Sequence, residues 1–238
     1  MAGLGTIIEG KNAVLSVLES GRATNISYIQ QENKSENFDT ILNLAKKNKV
    51  EVTVIGSKEE WPYHPRHSIV ALCKPKKTFK EKDLEKFKHK NFIVCDHIHD
   101  TNNIGAIARS AAAFNFEVIA IPLKRSVKIT ERTFSIASGG LEKVEIIFYN
   151  SIFSLIKKFN SIDVWTVGLD MNGEVEIDNI DLKTQNYALF VGSEENGLSK
   201  EIQKKLDLIS RINMNNDIES LNVSVSAAVA MHQLFIKK

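Results

Sequence analysis

The chain has 238 residues, 43% of them apolar and 25% charged, with a formal net charge of +2. This is enough to bury a sizeable core, in one large domain or in a medium domain joined to a small one. With no long apolar span and no charged-then-apolar leader, the expectation is a soluble, unexported cytoplasmic protein without a membrane partner. The two cysteines, Cys73 and Cys95, lie in apolar runs whose spacing suits neither a disulfide framework nor a zinc site. A charge of +2 does not by itself signal nucleic-acid binding, but lysines gather between Lys74 and Lys90.

Along the chain, Lys11 to Leu18 reads as an amphipathic helix, Ile26 to Ile29 as a strand, Asp39 to Lys47 as a helix, and Val50 to Ile55 and Ser68 to Cys73 as strands. These form a small α/β unit over residues 1–74. Residues 75–90 are charged and apolar-poor, which predicts a linker with a short helix from Asp83 to Lys88. Beyond it, over 91–238, strands are expected at 92–98, 116–121, 144–149, 163–169, 187–191 and 208–212. They alternate with helices at 103–114, 130–137, 151–159, 199–206 and 222–236. Such alternation predicts an α/β fold with a mostly parallel sheet and helices on both faces.

Three polar segments follow strand-like runs, and open α/β sheets place ligands at the carboxyl ends of strands. The first is Asp100-Thr101-Asn102-Asn103-Ile104-Gly105-Ala106-Ile107-Ala108-Arg109. Asn103 and Arg109 sit within two helical turns, about 120° apart around the axis. Arg109, set among alanines and Ile107, suits a phosphate or carboxylate ligand, or else bridges to a surface acid. The second is Gly192-Ser193-Glu194-Glu195-Asn196-Gly197-Leu198, whose glycines allow close backbone approach to a ligand; an ordinary turn capped by Ser199 is the alternative. The third runs from Ile212-Asn213-Met214 to Ser220-Leu221-Asn222-Val223-Ser224, and its exposed amides at a helix start suit a polar ligand. The final helix, carrying Val225, Ala227, Ala228, Val229, Met231, Leu234 and Phe235, is expected to be apolar and buried on most of its circumference, in the core or in a dimer. A rival constellation, Asp96-His97-Ile98-His99-Asp100, places two histidines on one face of a strand as candidate metal ligands, without an identifiable distant third ligand.

Taken in order, the three segments resemble the signature of the SPOUT class of RNA methyltransferases, specifically the SpoU/TrmH family of ribose 2′-O-methyltransferases, over roughly residues 91 to 238. The resemblance implies a catalytic domain with a deep C-terminal trefoil knot, S-adenosylmethionine as methyl donor, an RNA substrate, a homodimer and no metal. It further implies that Asn103, Arg109, Glu194, Ser220 and Asn222 form the active site. Gly192, Ile212, Met214 and Leu221 are the matching cofactor positions. An arginine keeps its proton to about pH 12, so Arg109 is expected to anchor a phosphate and stabilise the developing alkoxide rather than act as a literal base.

Ile8-Glu9-Gly10-Lys11-Asn12-Ala13-Val14 resembles the start of the small RNA-binding domain of the large-subunit rRNA members, whose fold is like ribosomal protein L30e. This implies a guanosine in the peptidyl-transferase region of 23S rRNA as target. The D-loop guanosine of tRNA, or a non-catalytic RNA-binding role on the same fold, are the alternatives. The chain departs from the family pattern at Thr101 and Asn213, where many relatives have proline, and at Arg66-His67-Ser68, where His-Gln-Gly is usual. Linker lysines with Arg22, Lys34 and Arg66 are candidate phosphate contacts, with solvated surface charge as the default for each.

Overall fold

The structure is a computed structural model that describes residues 4–30, 36–61, 65–124, 128–180, 186–215 and 220–237. The small unit comprises β1 (Ile7–Glu9), α1 (Lys11–Glu19), β2 (Ala23–Ile29), α2 (Glu36–Lys47), β3 (Glu51–Ile55) and β4 (Ile69–Cys73). Its sheet runs β1-β4-β2-β3, with β4 antiparallel to both neighbours and β2 parallel to β3. The spacing of Ala13, Val14, Val17 and Leu18 gives α1 one apolar face, which is buried. On α2, Phe38, Ile41 and Ala45 do the same, and Phe38 meets Tyr28 edge-on at 4.6 Å.

The remaining elements are β5 (Phe79–Lys80), β6 (Phe92–Cys95), α3 (Thr101–Ala113), β7 (Val118–Pro122), α4 (Glu131–Ala137), α5 (Gly140–Lys143), β8 (Glu145–Tyr149), α6 (Ile152–Ser161), β9 (Trp165–Leu169), β10 (Val175–Glu176), β11 (Tyr187–Val191), α7 (Lys200–Gln203), β12 (Leu208–Arg211) and α8 (Val223–Phe235). The sheet order is β10-β12-β9-β11-β6-β7-β8-β5, and every pairing in it is parallel. The lysine-rich segment does not stand apart from this sheet. β5 pairs with β8, and a 3-10 helix over Glu81–Phe87, in place of the helix expected from Asp83, buries Leu84 and Phe87. Lys86 and Lys88 stay at the surface, paired with Asp83 and Glu85.

The core lies on both faces of the large sheet, and the strands divide it by alternation. On β6, Ile93 and Cys95 enter the cluster beneath α3 and α8, while Phe92 and Val94 enter the one beneath α6. β11 repeats this, with Leu189 and Val191 on one side and Ala188 and Phe190 on the other. Strands buried on both faces read as continuous apolar runs, which is why Phe92 to Cys95 shows no polar alternation. On the α6 face, Phe159 packs edge-on against Phe92 at 4.8 Å and Phe190 at 6.0 Å. Each such buried ring contributes about 1.5–3 kcal/mol.

Candidate active site

Because Cys95 pairs with Val191, the chain leaves β6 and β11 side by side at the carboxyl edge of the sheet. The Asp96 N–H donates to the Val191 carbonyl at 2.9 Å. The buried Asp96 carboxylate then lies 3.2 Å from the Tyr149 hydroxyl, which also approaches the Cys95 carbonyl at 3.1 Å. Burial, reinforced by Asp96, pushes the Tyr149 hydroxyl above its ordinary range and keeps it a donor. Burial likewise raises the Cys95 thiol.

β6 ends at Cys95, so the strand expected to run to residue 98 stops short. His97 adopts a left-handed conformation, φ 53°, and its Nδ1 lies 2.8 Å from Asp96. His97 and His99 therefore belong to a turn, not to one face of a strand, which removes the geometric basis for the metal constellation. Among the described residues no group of three or more His, Cys, Asp or Glu side chains is placed to hold a metal.

The turn ends at Asp100, the N-cap of α3, which accepts the Asn102 N–H at 2.8 Å. That backbone hydrogen bond, with the Asn102 side chain, holds the Asp100 carboxyl below its ordinary range. One turn on, the nearly buried Asn103 donates from Nδ2 to Glu194 Oε1 at 2.8 Å, tying the first polar segment to the second. Gly105 is a close-packing position, since a Cβ there would fall 2.8 Å from Ile136 and 3.0 Å from the Thr133 carbonyl.

The loop after β11 closes on itself. The Gly197 N–H donates to the Ser193 carbonyl at 3.0 Å with Gly197 at φ 60°, and a Cβ on Gly192 would lie 2.0 Å from the Gly197 carbonyl carbon. Ser199 does cap α7 through the Ile202 N–H, so the loop is both a capped turn and a glycine-walled cradle. In the third segment, Asn222 caps α8 by accepting the Ser224 N–H at 2.9 Å and the Ser224 hydroxyl at 2.6 Å.

These segments enclose an open cavity of about 730 Å³ lined by Gly192, Glu194, Ile212, Met214, Ser220, Leu221 and Asn222. A second cavity, of about 920 Å³, lies on the other side of the 193–197 loop against Asp96, His97, His99, Asp100 and Asn103. Glu194 lines both. Arg109 lines neither; it is exposed, with no hydrogen-bond or ion-pair partner among the described residues. Leu169, Asp170 and Asn172, at the end of β9, also wall the first cavity and were not anticipated. Their signal was the Asp-Met-Asn-Gly turn after a strand, held by Asp170 through the Asn172 N–H at 2.9 Å and Gln203 Nε2 at 2.8 Å.

Two further expectations change. α8 buries Ala227, Ala230, Met231 and Leu234, yet Val225 and Phe235, with Ile236 just beyond, are exposed, so within one chain the helix is covered on one side only. Arg22 is not a free cation for phosphate, because it is half-buried in an ion pair with Glu142. Arg66 is exposed, and Lys34 lies outside the described residues. No helix among them is long and apolar enough to cross a membrane.

Comparison with known proteins places this geometry. Residues 90–232 match the SpoU rRNA Methylase family, and residues 7–78 match the RNA 2′-O ribose methyltransferase substrate-binding family. A Staphylococcus aureus protein named as a TrmH family tRNA/rRNA methyltransferase is 29% identical over 240 residues, covering 98% of this chain and 96% of that protein. YacO of Bacillus subtilis, also named as a TrmH family tRNA/rRNA methyltransferase, is 25% identical, covering 96% of this chain and 94% of that protein. Among solved structures, the SpoU methyltransferase AviRb from Streptomyces viridochromogenes, in complex with AdoMet, superposes with a TM-score of 0.78 at 18% identity, over 97% of this chain and 89% of that one. An AdoMet-bound rRNA methyltransferase from Sinorhizobium meliloti gives 0.75 at 17% identity, over 96% and 85%.

Proposed function

Since the chain belongs to the SpoU rRNA Methylase family, we propose that it transfers a methyl group from S-adenosylmethionine to the ribose 2′-hydroxyl of a guanosine in the peptidyl-transferase region of 23S rRNA. The observation that carries this reading is the Asn103–Glu194 hydrogen bond, which joins the first turn of α3 to the loop after β11, the two segments that follow adjacent parallel strands, at the wall of a glycine-lined cavity.

The cavity fits the donor on its own chemistry. Gly192 leaves no room for a Cβ, Leu169, Ile212 and Leu221 give apolar walls for a base, and Ser220 and Asn222 give polar groups for a ribose and amino-acid tail. When bound, the sulfonium supplies an already activated methyl, so alignment is the protein's main task and no metal is required. Gly192, Ile212, Met214 and Leu221 are the positions that would hold it.

The chain's own residues then divide the work. Asn103 fixes Glu194 between the two cavities, so that the carboxylate can orient the ribose, with Ser220 and Asn222 lining the first cavity beside it. Arg109 anchors the neighbouring phosphate and stabilises the alkoxide as it develops. Its exposure, its lack of a partner among the described residues and its place outside both cavities support a homodimer in which it serves the ribose bound by the second copy. The exposed Val225, Phe235 and Ile236 supply an apolar face for that association.

The remaining assignments belong to the same proposal. Residues 1–74 act as the RNA substrate-binding domain, 75–90 as the connection and 91–238 as the catalytic domain, working in the cytoplasm. The strand order, with β12 between β9 and β10 and β11 between β6 and β9, supports the trefoil knot. The test is transfer of labelled methyl to unmodified rRNA and tRNA transcripts, followed by digestion to nucleosides. Labelled 2′-O-methylguanosine from the 23S transcript is expected. Label from tRNA alone would keep the chemistry and overturn the substrate, and label in neither would overturn the activity.

A further inference from the structure

The small unit is pinned to the large one by a largely buried ion pair. Arg22, at the start of β2, reaches Glu142 on α5 with Nε at 3.0 Å from Oε2 and a terminal nitrogen at 2.5 Å from Oε1. Its remaining nitrogen donates to the Gly5 carbonyl at 3.2 Å and to the Lys74 carbonyl, so the whole fork is engaged. The side chains keep only 13% and 3% of their exposure. Around this pair the contact is close-fitting: a Cβ on Gly139 would fall 2.2 Å from Ser16 Oγ, one on Gly5 would fall 2.5 Å from the Phe134 ring, and His67 bonds Ser135 at 3.0 Å.

α5 is four residues long, too short to hold its place by helical hydrogen bonds, so tertiary contacts must fix it. Burial of Leu141, the Glu142 pair and a more exposed ion pair from Lys143 to Glu19 at 2.6 Å do so. The other side of α5 lies directly on α3. A Cβ on Gly140 would fall 2.7 Å from Arg109 Cα and 2.8 Å from the Ala108 carbonyl, so the backbone of α5 is the surface against which Arg109 is seated.

We propose that Arg22 and Glu142 form an interdomain latch that positions Arg109, making Glu142 a positioning residue for methyl transfer that responds to how the small domain is docked. The inference rests on the role given to Arg109 above. A conformational path is short and continuous: Arg22 holds Glu142, Glu142 holds α5, and Gly140 backs Arg109. RNA drawn against the small domain would load the same path.

The experiment measures kcat and KM for RNA, with cofactor affinity by calorimetry, on the full-length chain. Misplacement of a catalytic group by about 1 Å costs on the order of 100-fold, so Glu142→Gln and Arg22→Met should each lower kcat by about that factor while cofactor affinity stays unchanged. In an Arg109→Lys background the Glu142→Gln loss should shrink severalfold, because the two changes damage one geometry. Wild-type kcat in Glu142→Gln, or an undiminished loss in the Arg109→Lys background, overturns the latch. If either variant does not fold, Gly140→Ala, which pushes on Arg109 with the ion pair intact, must lower kcat in the same selective way. Arg109→Ala separates the two ideas. Full activity in that variant sinks the role of Arg109 itself, whereas its inactivity beside a fully active Glu142→Gln sinks only the latch.

Discussion

Adding one methyl group at Gly192 would put a carbon 2.0 Å from the Gly197 carbonyl carbon, 2.1 Å from its oxygen and 2.3 Å from the Leu198 nitrogen. All three are backbone atoms, so no side chain can turn away, and reaching an ordinary 3.4 Å contact requires the two strands of the loop to part by ~1.4 Å. That movement opens the 3.0 Å bond from Gly197 to Ser193 and draws Glu194 away from Asn103. Overpacking of this kind costs about 1–3 kcal/mol, and the charge-assisted bond from Asn103 about 1.5–3 kcal/mol. Gly192→Ala should therefore lower the melting temperature by about 5–24 °C, at roughly 2–4 °C per kcal/mol for a chain of this size. It should also weaken S-adenosylmethionine binding at least tenfold, which needs only about 1.4 kcal/mol. Calorimetric titration and thermal melts read both. Gly21→Ala is the control: nothing lies within 4 Å of its added Cβ, but φ is 71°, so about 1 kcal/mol of stability goes with no change in cofactor affinity. Wild-type affinity in Gly192→Ala would refute the assignment of this loop to the cofactor.

Asn103→Ala should cut kcat by more than tenfold while leaving the fold intact, since it frees Glu194; equal turnover would show that their hydrogen bond has no part in the chemistry. Tyr149→Phe removes the hydroxyl beside the buried Asp96 carboxylate and should cost about 1.5–3 kcal/mol, visible as a lower denaturation midpoint, and an unchanged midpoint would argue that Asp96 is satisfied by other groups. The Asp100 cap is stabilising while its carboxyl is ionised. Because the folded-state pKa is depressed, its contribution is complete above the ordinary carboxylate range and is lost as pH falls through the folded value. Melts of wild type and Asp100→Ala should accordingly converge on acidification, and a gap that persists at the acid end would contradict the sign. Chelator treatment should leave methyl transfer unchanged.

The apolar runs at Phe92 to Cys95 and Tyr187 to Val191 were legible because burial on both faces removes polar alternation, and residues of the polar segments after them line the two cavities. What followed from long-range contact was not. α5 is only four residues long and begins with a glycine, a poor helix former, and it exists through Leu141 burial and a partner at Arg22, 120 residues away. The two-residue strands β5 and β10 carry no pattern of their own. The helix expected to reach residue 206 stops at Gln203, because Asp207 turns back to bond Thr166 through its N–H and its carboxylate. β6 ran short because Asp96, though hydrogen-bonded to Val191, sends its carboxylate to Tyr149 and His97.

The position of β6 in the sheet has a consequence for synthesis of the chain. Its neighbours are β7, which begins within about thirty residues, and β11, which is made some ninety residues after it. While a ribosome is extruding the middle of the chain, β6 therefore presents an open hydrogen-bonding edge with apolar side chains on both faces. That edge closes only when Tyr187–Val191 has left the exit tunnel and slotted between β6 and β9. Nascent chains stalled before that point should be ready clients for holdase chaperones, and chains stalled beyond it should be released.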